Sequence, residues 1–108
     1  MRMMFNTGSS LLDAVVLSVV AREQAGTYGY KITQDVRSVL DVSESSLYPV
    51  LRRLQTGGLL ETYDQEFSGR NRRYYKITAQ GLEELNSYRN DWRDYCSKVN
   101  SLFFGEQE

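Results

Sequence analysis

Two short helical patterns, only a few residues apart, constrain the fold of this chain more than any other feature. The second pattern has an apolar face over residues 47–54 and ends at the glycine pair Gly57 and Gly58, which is typical of a helix C-terminus. Two helices joined by so short a break predict a helix-turn-helix. The first pattern places four apolar residues at helical spacing, namely Ile32, Val36, Val39 and Leu40.

The segments on either side of this pair complete a winged helix-turn-helix. An apolar stretch with Ser10 and Asp13 as its start signal predicts a first helix from about 10 to 23. The stretches "LLETYDQEF" and "RYYKI", separated by "SGRN", predict a β-hairpin. Thr78 is predicted to cap a final helix from about 79 to 104. The predicted fold class is therefore mainly α with a small β-hairpin, a winged helix-turn-helix followed by a long C-terminal helix.

The third helix contains the only proline of the chain, Pro49. If Ser45 caps this helix, the hydrogen bond that Pro49 lacks is the first bond of the helix, and the proline costs little. If Ser43 caps it, Pro49 lies inside the helix and is expected to kink its second turn. Both starts remain open at this point, but a helical wheel places Ser45, Pro49 and Arg52 together, opposite the apolar face.

The composition excludes several classes of protein. With 108 residues, of which 41% are hydrophobic and 25% charged, the chain suits one soluble folded domain. It has no histidine and one cysteine, Cys96, so it offers no internal disulfide and no metal site that contains histidine. Neither a facing pair of carboxylates nor a phosphate-binding glycine loop is visible. We therefore expect no enzyme activity, no metal and no cofactor, and we expect a cytoplasmic location because no signal peptide or membrane span is visible.

Positive charge is concentrated in the middle of the chain. Residues 31–76 carry eight basic and six acidic side chains, whereas residues 77–108 carry three basic and six acidic ones. A polar and arginine-bearing third helix suits a DNA major groove, and a basic hairpin suits phosphates or a minor groove. The candidate DNA contacts are Tyr30 and Lys31 at the second helix, Ser45, Ser46, Tyr48, Pro49, Arg52 and Arg53 on the third, and Arg70, Arg72, Arg73 and Lys76 on the hairpin.

The stretch from Tyr28 to Leu85 resembles the winged-helix domain of the PadR transcriptional regulators. The resemblance rests on four linked motifs: "YGY" before the second helix, "SLYP" in the third, the arginine-rich hairpin "GRNRRYYK", and "TAQG" at the start of the last helix. It implies a dimeric repressor with the third helix in the major groove and the hairpin, or wing, on the flanking backbone. It also implies that Pro49 is a normal feature of that helix. The acidic residues of "ETYDQEF" depart from the basic character of the wing.

The last helix carries an apolar stripe that predicts a dimer. Its residues follow a 3-4 spacing in which only Arg89 is polar. A core of this size is too small to cover so long a helix, so we expect the stripe to pack on a second copy, although a helix folded back on its own domain remains an alternative. This divides the chain into a DNA-binding domain, 1–77, and a dimerisation helix with its tail, 78–108. The predicted interface residues are Leu82, Leu85, Trp92, Cys96, Val99 and Phe103.

Trp92, the only tryptophan, lies in the middle of that stripe. Some of the short PadR regulators bind flat aromatic drugs between tryptophans at the dimer centre, so the resemblance implies a small aromatic or hydrophobic effector here. Its expected neighbours are Val15, Arg89, Asp91 and Cys96. Two alternatives stay open. Trp92 is a packed core residue without a ligand, or the whole domain is a winged-helix protein-interaction module that binds an acidic partner instead of DNA.

Overall fold

A computed structural model describes residues 9–105, with the side chains of residues 9 and 10 left undescribed. Four helices pack around a three-stranded antiparallel sheet in the order β1-β3-β2. This confirms the predicted mainly-α winged-helix fold. None of the described helices is long and apolar enough to cross a membrane. The elements are α1 (Ser9–Ala21), β1 (Thr27–Tyr28), α2 (Gly29–Arg37), α3 (Glu44–Thr56), β2 (Leu60–Phe67), β3 (Arg70–Ile77) and α4 (Ala79–Phe104).

Helix α1 lies at the centre of the domain, because it is apolar on several faces and contacts α2, α3, β3 and α4. Val16, Leu17 and Val20 are fully buried in it. The helix ends at Ala21, two residues before the predicted end. The predicted cap at Ser10 falls on a side chain outside the described part, and the carboxylate of Asp13 bonds Arg53 of α3 instead.

Helices α2 and α3 form the predicted helix-turn-helix, and their inward faces are closely packed. Ile32 and Val36 of α2 are buried, as are the four apolar positions of α3 between residues 47 and 54. The prediction for Val39 and Leu40 was wrong, because α2 ends at Arg37 and both side chains are exposed in the turn that follows. The apolar spacing continues past the end of the helix, so it does not show where the helix stops.

The glycine pair ends α3 as predicted. The N–H of Gly58 donates to the carbonyl of Gln55 at 3.0 Å, and the N–H of Leu59 donates to that of Leu54 at 2.9 Å. This is the Schellman arrangement, which requires a left-handed residue, and Gly58 supplies it with φ +81°. The reversed chain then enters β2 directly, so the end of α3 fixes where the wing begins.

The sheet differs from the predicted hairpin in two ways. Thr27 and Tyr28, for which no strand was predicted, form a third strand that pairs with Tyr75 and Tyr74 of β3. A strand of two residues is too short for its period to be visible in the sequence. The turn of the hairpin is also shorter than predicted, since only residues 68 and 69 lie outside the ladder.

Helix α4 has the predicted bounds. The hydroxyl of Thr78 accepts from the N–H of Gly81 at 3.0 Å and donates to the carbonyl of Gly58 at 2.7 Å, so it caps α4 and ties it to the end of α3. A Cβ at Gly81 would lie 2.2 Å from the carbonyl oxygen of Leu59. Glycine in the "TAQG" motif therefore lets α4 cross the start of β2 closely. Four residues later, Leu85 is buried in the chain's own core.

Candidate nucleic-acid interface

Helix α3 starts at Glu44, and Ser43 is its N-cap. The hydroxyl of Ser43 accepts from the N–H of Ser46 at 3.2 Å, and the hydroxyls of Ser43 and Ser46 are 2.7 Å apart. Pro49 is therefore the sixth residue of the helix, and the bond it lacks is the one to the carbonyl of Ser45. The helix continues through Pro49 to Thr56. Of the two possible starts, the structure selects the one that places proline inside the helix.

The outward face of α3 carries the predicted polar residues. Ser45, Ser46, Pro49 and Arg52 are all exposed, and none of them takes part in the core. Tyr48 is partly covered, and its hydroxyl donates to the carboxylate of Glu44 at 3.3 Å. Partial burial, followed by this hydrogen bond, raises the pKa of Tyr48 above its ordinary value. The hydroxyl therefore stays protonated at neutral pH and keeps its hydrogen bond to Glu44.

The wing is a tight hairpin whose basic residues lie on a strand rather than in its turn. Ser68 and Gly69 have φ values of +54° and +79°, as a two-residue type I′ turn requires. Arg70, which we predicted to lie at the tip, pairs with Phe67 as the first residue of β3. Because side chains alternate along a strand, Arg70, Arg72 and Lys76 share the outer face and Arg73 lies on the other.

An aromatic ladder orients Arg72. The rings of Tyr63 and Tyr74 are stacked with centroids 5.4 Å apart, and Tyr28 meets Tyr74 edge-on at 5.7 Å. The guanidinium of Arg72 lies 4.4 Å from the ring centroids of both Tyr28 and Phe67. Cation–π contacts with two rings hold this cation against the sheet and restrict its rotamers.

Ion pairs divide the candidate cations into two groups. Lys31 bonds Asp35 at 3.0 Å and approaches Glu23 at 3.6 Å, and the hydrogen bond to Asp35 is the main cause of its raised pKa. Arg53 bonds Asp13, and Arg73 faces Asp64 across the wing at 3.7 Å. Among the other candidate cations, no such pair is found within residues 9–105 for the exposed Arg52, Arg70 and Lys76, nor for the partly covered Arg72.

A groove of ≈ 430 Å³ separates α3 from the sheet. It brings together four of the predicted residues: Tyr30, Tyr48, Arg72 and Arg73. It also includes three that the sequence analysis did not assign to the interface: Tyr28, Gly29 and Tyr75. The "YGY" motif was the available signal for two of these. A Cβ at Gly29 would lie 3.4 Å from the ring of Tyr48, which is an ordinary contact distance.

A second groove, of ≈ 350 Å³, lies between α1 and α4. Three of the predicted ligand neighbours, Val15, Arg89 and Trp92, line it, whereas Asp91 and Cys96 do not. The rest of the lining is mostly apolar and comes from both helices and the α2–α3 turn: Leu11, Ala14, Ser18, Leu40, Leu85 and Tyr88.

The predicted dimer residues do not share one environment. Leu85 is only 2% exposed and packs in the chain's own core, so it presents no surface to a second copy. Leu82 and Trp92 are about half exposed, and Cys96 and Val99 are partly covered. At the end of α4, Leu102 is 84% and Phe103 75% exposed. The described residues contain no cluster of acidic, cysteine or histidine side chains suited to a metal ion.

Comparison with known sequences places this architecture in a family. The sequence model of the Transcriptional regulator PadR-like family matches residues 16–87. A transcriptional regulator of Mycobacterium tuberculosis is 34% identical over 73 residues, which are 67% of this chain and 68% of that protein. An uncharacterised protein of Lysinibacillus sphaericus is 30% identical over 97 residues, which are 85% of this chain and 86% of that protein.

Solved structures agree with this assignment. A PadR-like transcriptional regulator of Bacillus cereus superposes with a TM-score of 0.79 at 34% identity, covering 89% of this chain and 94% of that one. A Streptococcus mutans protein superposes with a TM-score of 0.83 at 31% identity, and the match covers 98% of both chains. The likeness therefore extends over α4 as well as over the winged helix.

Proposed function

The chain belongs to the PadR-like family of DNA-binding transcriptional regulators, and we propose that it is a cytoplasmic, homodimeric repressor. In this proposal α3 enters the major groove of an operator and the wing contacts the flanking backbone. The supporting observation is that three exposed candidate cations on these two elements have no ion-pair partner among the described residues, namely Arg52 on α3 and Arg70 and Lys76 on β3. Both elements border the same aromatic groove.

The two groups of cations suit different roles. A lysine or arginine that already bonds a carboxylate must give up that bond before it neutralises a phosphate, whereas an unpaired one needs only to release solvent and counterions. We therefore assign direct DNA contacts to Arg52, Arg70 and Lys76. Lys31 and Arg73, which are paired, serve mainly to shape the surface. Ser45, Ser46 and Pro49 form the part of α3 that meets the base edges.

The DNA assignment is tested with the DNA upstream of the protein's own gene, by fluorescence anisotropy over a range of salt concentrations. We expect Lys76→Gln to weaken binding and to flatten the log-log salt slope by about one unit, because one phosphate contact is lost. The matched control is Lys98→Gln, since Lys98 lies on α4 and pairs with Asp94. Equal slopes for the two variants would contradict the assignment.

The same assay separates a repressor from the alternative, a protein-interaction module. Substitution of Ser45 or Arg52 changes the preference among operator sequences if α3 contacts base edges. In a protein-interaction module, those substitutions leave any weak DNA binding uniformly unaffected across the sequences. The control is Arg93→Gln, an exposed arginine on α4 that lies far along the chain from α3.

The dimer proposal is supported by the distal part of α4. A helix of 26 residues spans about 39 Å, and only its first turns pack on the core. Exposed apolar residues so close together are unusual for a monomer and mark an interface. A second copy that packs α4 against α4 would cover Trp92 and Phe103 and would place the two α3 helices for a two-fold operator.

The groove between α1 and α4 supports an effector site, as a second candidate function. Its lining combines the indole of Trp92 with aliphatic side chains, which suits a planar aromatic compound. Titration of planar dyes against the emission of Trp92 tests this proposal. We expect quenching in the native protein and none in Val15→Phe, whose larger ring fills the groove. Unchanged emission across the panel would contradict the effector site but not the proposed repressor function.

A further inference from the structure

Two consecutive arginines of α3 have different environments. Arg52 points to solvent and has no ion pair in the described chain, whereas Arg53 reaches Asp13 of α1 with two of its nitrogens. The Nη2 of Arg53 bonds Oδ1 of Asp13, and its Nε lies 3.5 Å from Oδ2. A guanidinium that meets both oxygens of one carboxylate is fixed in orientation as well as in distance.

This pair joins the DNA-reading helix to the central helix of the domain. Other polar side chains of α3 act elsewhere, since Tyr48 bonds within α3 and Gln55 reaches Thr62 of β2. The side chain of Asp13 is only 15% exposed, whereas that of Arg53 is 49% exposed. A mostly covered carboxylate with a fixed partner resists separation more than a surface pair does. The contact is therefore well placed to transmit a movement of α1 to α3.

Asp13 also lies beside the groove between α1 and α4. The next two residues of α1, Ala14 and Val15, line that groove, and so does Tyr88 of α4. Burial raises the pKa of Tyr88, and the negative charge of Asp13 adds to this increase. The Tyr88 hydroxyl is thus within electrostatic range of the carboxylate that holds Arg53.

We propose that the Asp13–Arg53 ion pair is a positioning contact that couples the groove between α1 and α4 to the DNA-reading face of α3. The inference rests on the proposed DNA binding and adds the residues that link the two surfaces. A change in the groove that moves α1 carries Asp13 with it, and Arg53 then shifts α3 together with its neighbour Arg52. Coupling between binding sites is reciprocal, so DNA bound to α3 must also alter the groove.

This reciprocity allows a test that needs no effector. Trp92 is the only tryptophan and lines the groove, so its emission reports on the groove when operator DNA binds. We expect saturating DNA to change the emission of the native protein, and we expect Asp13→Asn and Arg53→Gln to lose that change while they still bind DNA. The double variant should match the single ones, because both single substitutions remove the same contact. Arg53→Lys, which keeps the charge, should restore part of the change.

The matched control is Arg52→Gln on the neighbouring residue. It should weaken DNA binding but retain the full emission change once DNA is saturating. An unaltered change in Asp13→Asn or Arg53→Gln would overturn the coupling and leave DNA binding intact, as would a native protein that binds DNA without any change at Trp92. Absence of DNA binding by the native protein would overturn both proposals. Thermal unfolding identifies any variant that fails to fold. If Asp13→Asn does not fold, Arg53→Gln decides the test, because the side chain of Arg53 is half exposed.

Discussion

Helices α3 and α4 are both amphipathic, but their apolar faces are covered to different extents. In α3, the four apolar residues between positions 47 and 54 are each at most 3% exposed. In α4, Leu85 is 2% exposed, whereas Leu102 and Phe103 near the other end are 84% and 75% exposed. The lengths explain the difference, because 13 residues span about 20 Å and match the core, whereas 26 residues span about 39 Å and extend past it.

The two helices therefore differ in the surface that each has available for binding. The apolar face of α3 is fully used inside the chain, so its outward face is free to be polar and to contact DNA. At the distal end of α4, Leu102 and Phe103 are largely uncovered in the described chain, and the proposed dimer would supply that cover.

Leu51→Ala should have the largest effect, because Leu51 is fully buried among α1, α2 and α3. We expect the free energy of unfolding to fall by about 2–5 kcal/mol, as measured by urea denaturation. Leu102→Ala removes a side chain of the same size from the exposed end of α4. At protein concentrations low enough to disfavour association, it should change the stability by less than about 0.5 kcal/mol. Equal losses in the two variants would contradict the contrast.

Phe103→Glu should dissociate the proposed dimer. In a two-fold interface the substitution counts twice, and loss of each buried ring costs about 1.5–3 kcal/mol, so the dimer should weaken by about 3 kcal/mol or more. Sedimentation equilibrium measures the dissociation constant directly. Asn90→Glu introduces the same charge at an exposed position off the apolar stripe and should leave association unchanged.

Gly81→Ala tests the packed end of α4. Alanine favours a helix over glycine by about 1 kcal/mol, so helix propensity alone predicts a more stable protein. The new Cβ would lie 2.2 Å from the Leu59 carbonyl oxygen and 2.7 Å from Ile77. A backbone atom cannot move aside as the end of a flexible side chain can, so the clash is costly. We expect a net loss of about 1–3 kcal/mol in thermal unfolding. A gain in stability would show that β2 can move away from α4.

Loss of either helix cap should reduce stability less than the substitutions above. Thr78→Ala removes the cap of α4 and also the bond to the Gly58 carbonyl, so we expect a loss of about 1–2 kcal/mol in urea denaturation. Ser43→Ala removes only the exposed cap of α3 and should cost about 0.5–1 kcal/mol. A larger loss for Ser43→Ala would mean that the start of α3 depends on its cap more than the start of α4 does.

Local signals predicted most of the secondary structure. Thr78 and the glycine pair after α3 act on residues within one helical turn, so the bounds of α4 and the end of α3 followed from the sequence. The apolar period identified the buried residues of α3 for the same reason. Strand β1 was missed because its order comes from pairing with β3, a partner almost fifty residues away. Val39 was misplaced because a period does not show where a helix stops.

The candidate interface was only partly accessible from sequence. Residue type and spacing selected the right elements, α3 and the wing, because charge and aromatic content are visible in the chain itself. The helical wheel placed Arg52 on the outward face, but it gave no means to see that Arg53 bonds Asp13, which lies 40 residues away in the chain. The assignment of Leu85 to a dimer surface had the same origin, because a stripe on a helix does not reveal which partner covers it.

The sequence by itself determined the family, the order of the four helices and the hairpin, and the position of Pro49 on the outward face of α3. The tertiary structure alone decided which cations are available and which apolar residues are still uncovered. Arg53 and Asp13 are 40 residues apart in the chain, and they meet only because α1 crosses α3 at that point. Such a contact depends on how whole helices pack, and no local pattern of residues encodes it.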